Sequence, residues 1–95
     1  MITNTLLIKL KERNNETIEK TKSVLLSMEG KIEVLRGIQV QVDIRRGESS
    51  YDILLITHFS SMEDMEVYLI NPVHVEVSKY IAGVLESGAS VCFDE

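Results

Sequence analysis

Alternation of apolar and polar residues defines the first element. From Thr3 to Lys11, Leu6, Ile8 and Leu10 share one side and Leu7 occupies the other. This predicts a strand with one fully apolar face and a partly apolar second face. After a polar break at residues 11–15, Ile18, Thr21, Lys22, Leu25, Met28 and Ile32 recur at spacings of three and four. That is the period of an amphipathic helix over roughly residues 15–29, capped by Asn14 or Asn15 and stopped at Gly30. Gly37 opens the clearest alternation: Ile38, Val40, Val42 and Ile44 against Gln39, Gln41, Asp43 and Arg45. The turn-forming run 46–50 predicts a hairpin into a strand from Tyr51 to Phe59. That strand carries Ile53, Leu55 and Phe59 on one face and Leu54 and Ile56 on the other.

Ser60-Ser61-Met62-Glu63 fits a helix-starting capping box, with Met62, Met65 and Leu69 as the buried stripe. Asn71-Pro72 breaks this helix and restarts another, with Asn71 as cap and Pro72 at its first position. Val73, Val77, Tyr80, Ile81 and Val84 form the apolar face, Ser87-Gly88 ends the helix, and Ala89 to Phe93 is a short last strand. The order β-α-β-β-α-β predicts an α+β, ferredoxin-like antiparallel sheet with its helices on one face, in one domain over 1–95. Strands one and three are central in that arrangement and strand two is an edge. The apolar centre of the uncovered face then needs a cover, and a second copy packed sheet to sheet supplies one. The expectation is a homodimer.

Composition narrows the function classes. The chain has 95 residues, 44% hydrophobic and 26% charged, so an ordered domain with a modest core is expected. No apolar run reaches the length of a membrane span, and the N-terminus lacks the pattern of a signal peptide. One cysteine excludes a disulfide framework, and the expected compartment is the cytoplasm. The net charge of −5 is uneven: residues 62–95 carry −6 and residues 1–61 carry +1. This balance disfavours nucleic acid as a partner. The two histidines form no metal-ligand spacing, no phosphate-binding glycine loop occurs, and no metal or cofactor is expected.

Few residues remain as candidates for chemistry. His74 sits at the third position of the last helix, as a candidate general base or donor at a pocket mouth. The alternative is an ordinary helix-face histidine. His58 lies among aliphatics on strand three, where a structural role is the default. Asn4 begins strand one on the face of Leu6, and either points into a cavity or frays. Asn71 reads first as a helix cap and second as a ligand contact. Tyr68 and Tyr80 read as core with their hydroxyls at the edge, and Cys92 as a buried, inert thiol.

Tyr68-Leu69-Ile70-Asn71-Pro72-Val73-His74-Val75 resembles the Y-x-x-H-P-x-H-V signature of the stress-responsive A/B barrel, or Dabb, family. Leu6-Leu7-Ile8-Lys9-Leu10-Lys11 is similar to that family's opening V-x-F-K-L-K strand, and Val91-Cys92-Phe93-Asp94 to its closing strand. The resemblance implies a ferredoxin-like fold that dimerises into an α/β barrel. Some plant members are cyclases or aldol-type catalysts. In those the His of Pro-x-His works beside a His at the start of strand one. His74 matches the first; Asn4 stands at the second, and Asn71 stands for the His before Pro. An amide does not titrate near neutral pH, so a two-His acid/base pair is absent. The resulting expectation is a homodimer binding a small apolar or carbonyl-containing molecule through Asn4, Tyr68, Asn71 and His74. The alternative is a cofactor-free enzyme, cyclase-like or monooxygenase-like, with His74 as base.

Overall fold

The computed structural model describes residues 1–95. The elements are β1 (Ile2–Leu10), α1 (Asn15–Leu26), β2 (Gly37–Val42), β3 (Ile53–Phe59), α2 (Met62–Ile70), α3 (Pro72–Val84) and β4 (Leu85–Asp94). The sheet is antiparallel throughout, in the order β2-β3-β1-β4, so β1 and β3 are central. The expected α+β, ferredoxin-like class is the one observed.

All helices lie on one face. Beneath them Ile8, Leu10, Ile18, Leu25, Met28, Ile53 and Phe59 are almost fully removed from water. Register assigns the opposite face. Directly paired residues point the same way, so His58, Thr3 and Phe93 form one row, Ile56, Thr5 and Val91 the next, and Leu54, Leu7 and Ala89 a third. No helix covers these rows: Leu7, Val91 and Phe93 remain 38%, 63% and 39% exposed.

Several boundaries differ from the sequence expectation, each for a local reason. Helix α1 is capped by the Asn14 side chain, which accepts from Thr17 N at 2.8 Å, but it ends at Leu26 rather than near residue 29. Met28 N and Glu29 N bond three residues back, which tightens the chain into turns, and Gly30 at φ +78° completes the reversal. Strand β2 stops at Val42, short of Arg45. The Asp43 carboxylate accepts from Arg46 N at 2.8 Å and fixes a turn there, leaving Ile44 93% exposed. Helix α2 is capped by Ser61, which accepts from Asp64 N, one residue later than the Ser60–Glu63 box.

The largest difference is at the C-terminus. Ser87-Gly88 does not end a helix. Helix α3 stops at Val84, and the chain enters β4 at once through extended Leu85. A register shift between Lys9 and Leu10 absorbs Glu86. Gly88 lies within the strand in a close approach: a Cβ there would sit 3.2 Å from the Leu7 carbonyl oxygen, tighter than an ordinary contact. The last strand therefore has ten residues, twice the expected Ala89–Phe93 span. No helix is long and apolar enough to cross a membrane.

One buried polar cluster locks the hairpin end of the sheet. Asp52 is fully buried; its Oδ2 accepts from Leu10 N at 2.8 Å and its Oδ1 from Arg13 Nε at 3.0 Å. Arg13 Nη2 also donates to the carbonyls of Gly47 and Ser50 at 2.9 and 3.0 Å. Together they tie β1, the approach to α1 and the β2–β3 turn.

Candidate functional site

A cavity of about 320 Å³ lies between the sheet and the helices. Its floor is the helix-facing side of β1, β3 and β4, and its walls come from α1, α2 and α3. Ten of its fourteen lining residues are hydrophobic, Leu6, Leu25, Leu55 and Ile81 among them, and none carries a formal charge. Asn4, Tyr68, His74, Ser78 and Ser90 are the lining residues with polar side-chain atoms.

His74 is positioned by the break between the two helices. The Asn71 side chain accepts from Val73 N at 2.9 Å, and Pro72 opens α3 with its φ preset. His74, at the third position of α3, then has its ring over Tyr68, with ring centroids 4.4 Å apart and planes at 49°. Nδ1 lies 3.0 Å from the Leu69 carbonyl oxygen. A carbonyl only accepts, so Nδ1 carries the proton and donates. The neutral ring then has its lone pair on Nε2, which has no partner within the chain. This is the tautomer a base or hydrogen-bond acceptor requires.

Tyr68 is 3% exposed and packs against Phe59 with centroids 4.8 Å apart. Its hydroxyl is not at the edge of the core as expected. It donates inward, to Met28 Sδ at 3.8 Å, because the ring is clamped between Phe59 and His74. Burial pushes the Tyr68 hydroxyl up from 10.0 to about 12. The unfolded chain, at 10.0, releases this proton first, so the folded state holds more protons between pH 10 and about 12. The stability this gives is complete below pH 10 and is lost as pH rises through about 12; at most it amounts to about 3 kcal/mol. Tyr68→Phe keeps the ring and removes the proton. Urea unfolding of this variant is expected to show a smaller alkaline drop than wild type; equal drops would place the loss elsewhere.

The structure thus brings Asn4, Tyr68 and His74 to one cavity. Asn71 is not among its lining residues; its amide is committed to capping α3. Sequence reasoning missed Ser78 and Ser90. Ser78 follows His74 by one helical turn, a spacing that places both on one side of α3. Ser90 required the strand register, which pairs it with Leu6.

The other residues singled out lie apart from the cavity. His58 is on the uncovered face, with Nδ1 3.1 Å from Thr3 Oγ1. Tyr80 has its hydroxyl 3.4 Å from Thr21 Oγ1 and Lys20 Nζ 5.7 Å above its ring. Cys92, expected to be buried, is exposed: β4 is an edge strand, and Met65 Sδ lies 3.7 Å from the thiol. No group of three or more metal-ligating side chains converges anywhere in the fold.

A four-stranded antiparallel sheet with its helices on one face defines a ferredoxin-like α+β domain. The chain belongs to the stress responsive A/B barrel domain family, Dabb, whose model matches residues 2–94. Solved structures agree. A dimeric protein of unknown function with a ferredoxin-like fold, from Bacteroides fragilis, is 26% identical, with a TM-score of 0.84 over 99% of this chain and 95% of that one. A Dabb family protein from Mesorhizobium loti is 17% identical, with a TM-score of 0.84 over 99% and 95%. The hydroxynitrile lyase of Passiflora edulis is 10% identical, with a TM-score of 0.82 over 97% and 90%. No curated protein matches the sequence.

Proposed function

We propose that this is a single-domain, cytoplasmic homodimer that binds a small, uncharged, partly apolar molecule in the cavity beneath its helices. The observation that carries the binding reading is the lining: apolar walls without a charge, and Asn4 and His74 as polar lining groups. Such a cavity rejects ions, because a charge would lose its water and gain no counter-charge. It favours a molecule that offers a hydroxyl or an acidic C–H to His74 Nε2 and a carbonyl to the Asn4 amide. Asn71 acts at one remove, by fixing the start of α3. Dimerisation is supported by the uncovered apolar rows and by the dimeric state of the Bacteroides fragilis protein.

The tautomer of His74 favours a second reading, proton-transfer catalysis with Nε2 as base and no cofactor. The lyase with this fold is a precedent for chemistry on the scaffold and says nothing of the reaction here.

Small uncharged ketones and aldehydes, acetophenone first, are the probes of choice. Saturable thermal stabilisation by acetophenone is expected in wild type. Ser90→Phe fills the cavity from the exposed strand and is expected to abolish it; His74→Ala is expected to weaken binding of the alcohol 1-phenylethanol, which donates to Nε2, about tenfold, the worth of one hydrogen bond. Equal stabilisation of wild type and Ser90→Phe would remove the cavity from the account.

A further inference from the structure

The exposed apolar side chains collect in two places. Nine large hydrophobic residues remain exposed, and three of them, Leu7, Val91 and Phe93, lie on the sheet face assigned to a second copy. Four others, Met62, Val67, Leu69 and Ile70, are between 44% and 77% exposed and belong to one nine-residue helix, α2. Helix α2 packs on the opposite side of the sheet, where Tyr68 meets Phe59 in the core, so a copy seated on the uncovered face does not lie over it. Single exposed apolar residues are ordinary; four on one short helix form a patch.

The stripe expected to be buried, Met62, Met65 and Leu69, is not the one the fold uses. At about 100° per residue Tyr68 points into the core, and Asp64 and Met65 flank it half-buried. Leu69, Met62, Glu66, Ile70, Glu63 and Val67 then follow one another round the outward side, and all six are exposed. The charges among them have one sign. Helix α2 carries no base, and neither Glu63 nor Glu66 is ion-paired; the ion pairs of the fold are Met1–Asp94, Arg13–Asp52 and Lys79–Glu76. Lys79 is the one base in residues 62–95, and Glu76 takes it at 3.2 Å. Glu63 stands in the first turn, where the helix dipole favours it, but Glu66 lies beyond that turn.

These charges select the occupant. A two-fold contact between copies through α2 sets Glu63 and Glu66 against their own images, like charge on like. An anionic membrane surface is repelled in the same way. An apolar, methionine-containing face with carboxylates set into it matches a segment that is apolar and basic together. We propose that the outward face of α2 is a docking surface for a basic amphipathic helix of a partner protein. The partner's apolar stripe covers Met62, Val67, Leu69 and Ile70, and its lysines or arginines flank Glu63 and Glu66. Helix α2 spans about 14 Å, so the contact is small and of the transient, micromolar kind.

The test is fluorescence anisotropy of a labelled synthetic helix with the intact protein. The probe is a peptide of about 14 Leu and Lys residues with its leucines on one helical stripe. One control peptide has the same composition scrambled, and another has Glu in place of Lys. Saturable micromolar binding of the patterned Leu/Lys peptide is expected, weakening as salt rises from about 0.05 to 0.2 M because exposed charges are screened. Val67→Ser with Ile70→Ser is expected to weaken it at least about tenfold, since both side chains are exposed and outside the core. Glu63→Gln with Glu66→Gln is expected to weaken it about threefold and to flatten the salt dependence. Glu12→Gln with Glu48→Gln removes the same charge near the hairpin end of the sheet and is expected to leave binding unchanged. Circular dichroism and solution mass accompany each variant. Scrambled or Leu/Glu peptide binding as tightly as the patterned Leu/Lys peptide overturns the proposal. So does the absence of saturable binding, or equal affinity in folded Val67→Ser, Ile70→Ser protein. A fall of that variant to half the wild-type mass gives the face to a second copy and overturns it as well.

Discussion

Asp52→Ala is expected to destabilise the protein by about 3–5 kcal/mol, the usual cost of removing one partner from a buried ion pair. The carboxylate is fully buried and ties β1 to the approach to α1. Without it Leu10 N loses its acceptor inside the sheet, and Arg13 keeps only the Gly47 and Ser50 carbonyls to offset its charge. A chain of this length has roughly 5–14 kcal/mol of stability in total, so the variant retains only a thin margin. Asp52→Asn keeps an acceptor for Leu10 N and loses the charge; its cost is expected to be smaller, about 1–3 kcal/mol. Urea unfolding of the three proteins orders them wild type, Asn, Ala. Midpoints that coincide for wild type and Asp52→Ala would show the cluster to be dispensable.

Ile56→Asp is expected to convert the dimer to a folded monomer. Ile56 is at the centre of the uncovered face, between the rows of Leu54 and His58, and it is not part of the helix-covered core. In a two-fold dimer the substitution places two carboxylates in the apolar interface, with no cation beside them except Lys9 at the margin. Unpaired buried charge costs several kcal/mol per group. The solution mass should fall from twice 10.8 kDa to 10.8 kDa with circular dichroism unchanged. Ile44→Asp is the control: Ile44 is 93% exposed beyond the end of β2, and its replacement should leave the dimer intact. A wild-type mass of 10.8 kDa at micromolar concentration would contradict the dimer at once.

Much of the fold was legible because its signals are local. Alternation along β1 and β3 reports which faces are apolar, and the helix period, the Asn14 cap and Asn71-Pro72 mark helix boundaries within a few residues. The errors fall where tertiary pairing overrides local pattern. Ser87-Gly88 reads as a helix stop, yet Gly88 lies in the β1–β4 ladder close to the Leu7 carbonyl, a contact nothing nearby in sequence announces. Ile44 continues the apolar period of β2, but the Asp43–Arg46 turn takes the backbone out of the sheet first. Cys92 has the apolar neighbours of a buried residue and sits on an edge strand, where it stays exposed although Met65 of α2 approaches it.

The site was half legible. His74 followed from its place after Asn71-Pro72, and Asn4 from its side of β1. Ser90 did not, since it enters the cavity only through the β1–β4 register, and the Leu69 carbonyl that sets the His74 tautomer belongs to a backbone, which composition cannot show. The Asp52–Arg13 pair was equally silent: 39 residues separate its members, and both read as ordinary surface charges.

The central claim is that His74 offers a free Nε2 to a molecule held in the cavity. Nitrogen NMR of the His74 ring in the intact protein, at pH 8.0 with and without acetophenone or its alcohol 1-phenylethanol, tests it most directly. The account predicts a neutral ring protonated at Nδ1 and an Nε2 resonance that moves on addition of the alcohol, which donates to it, and moves less with the ketone. A ring protonated at Nε2, or an Nε2 resonance indifferent to both compounds while other cavity residues respond, would contradict it.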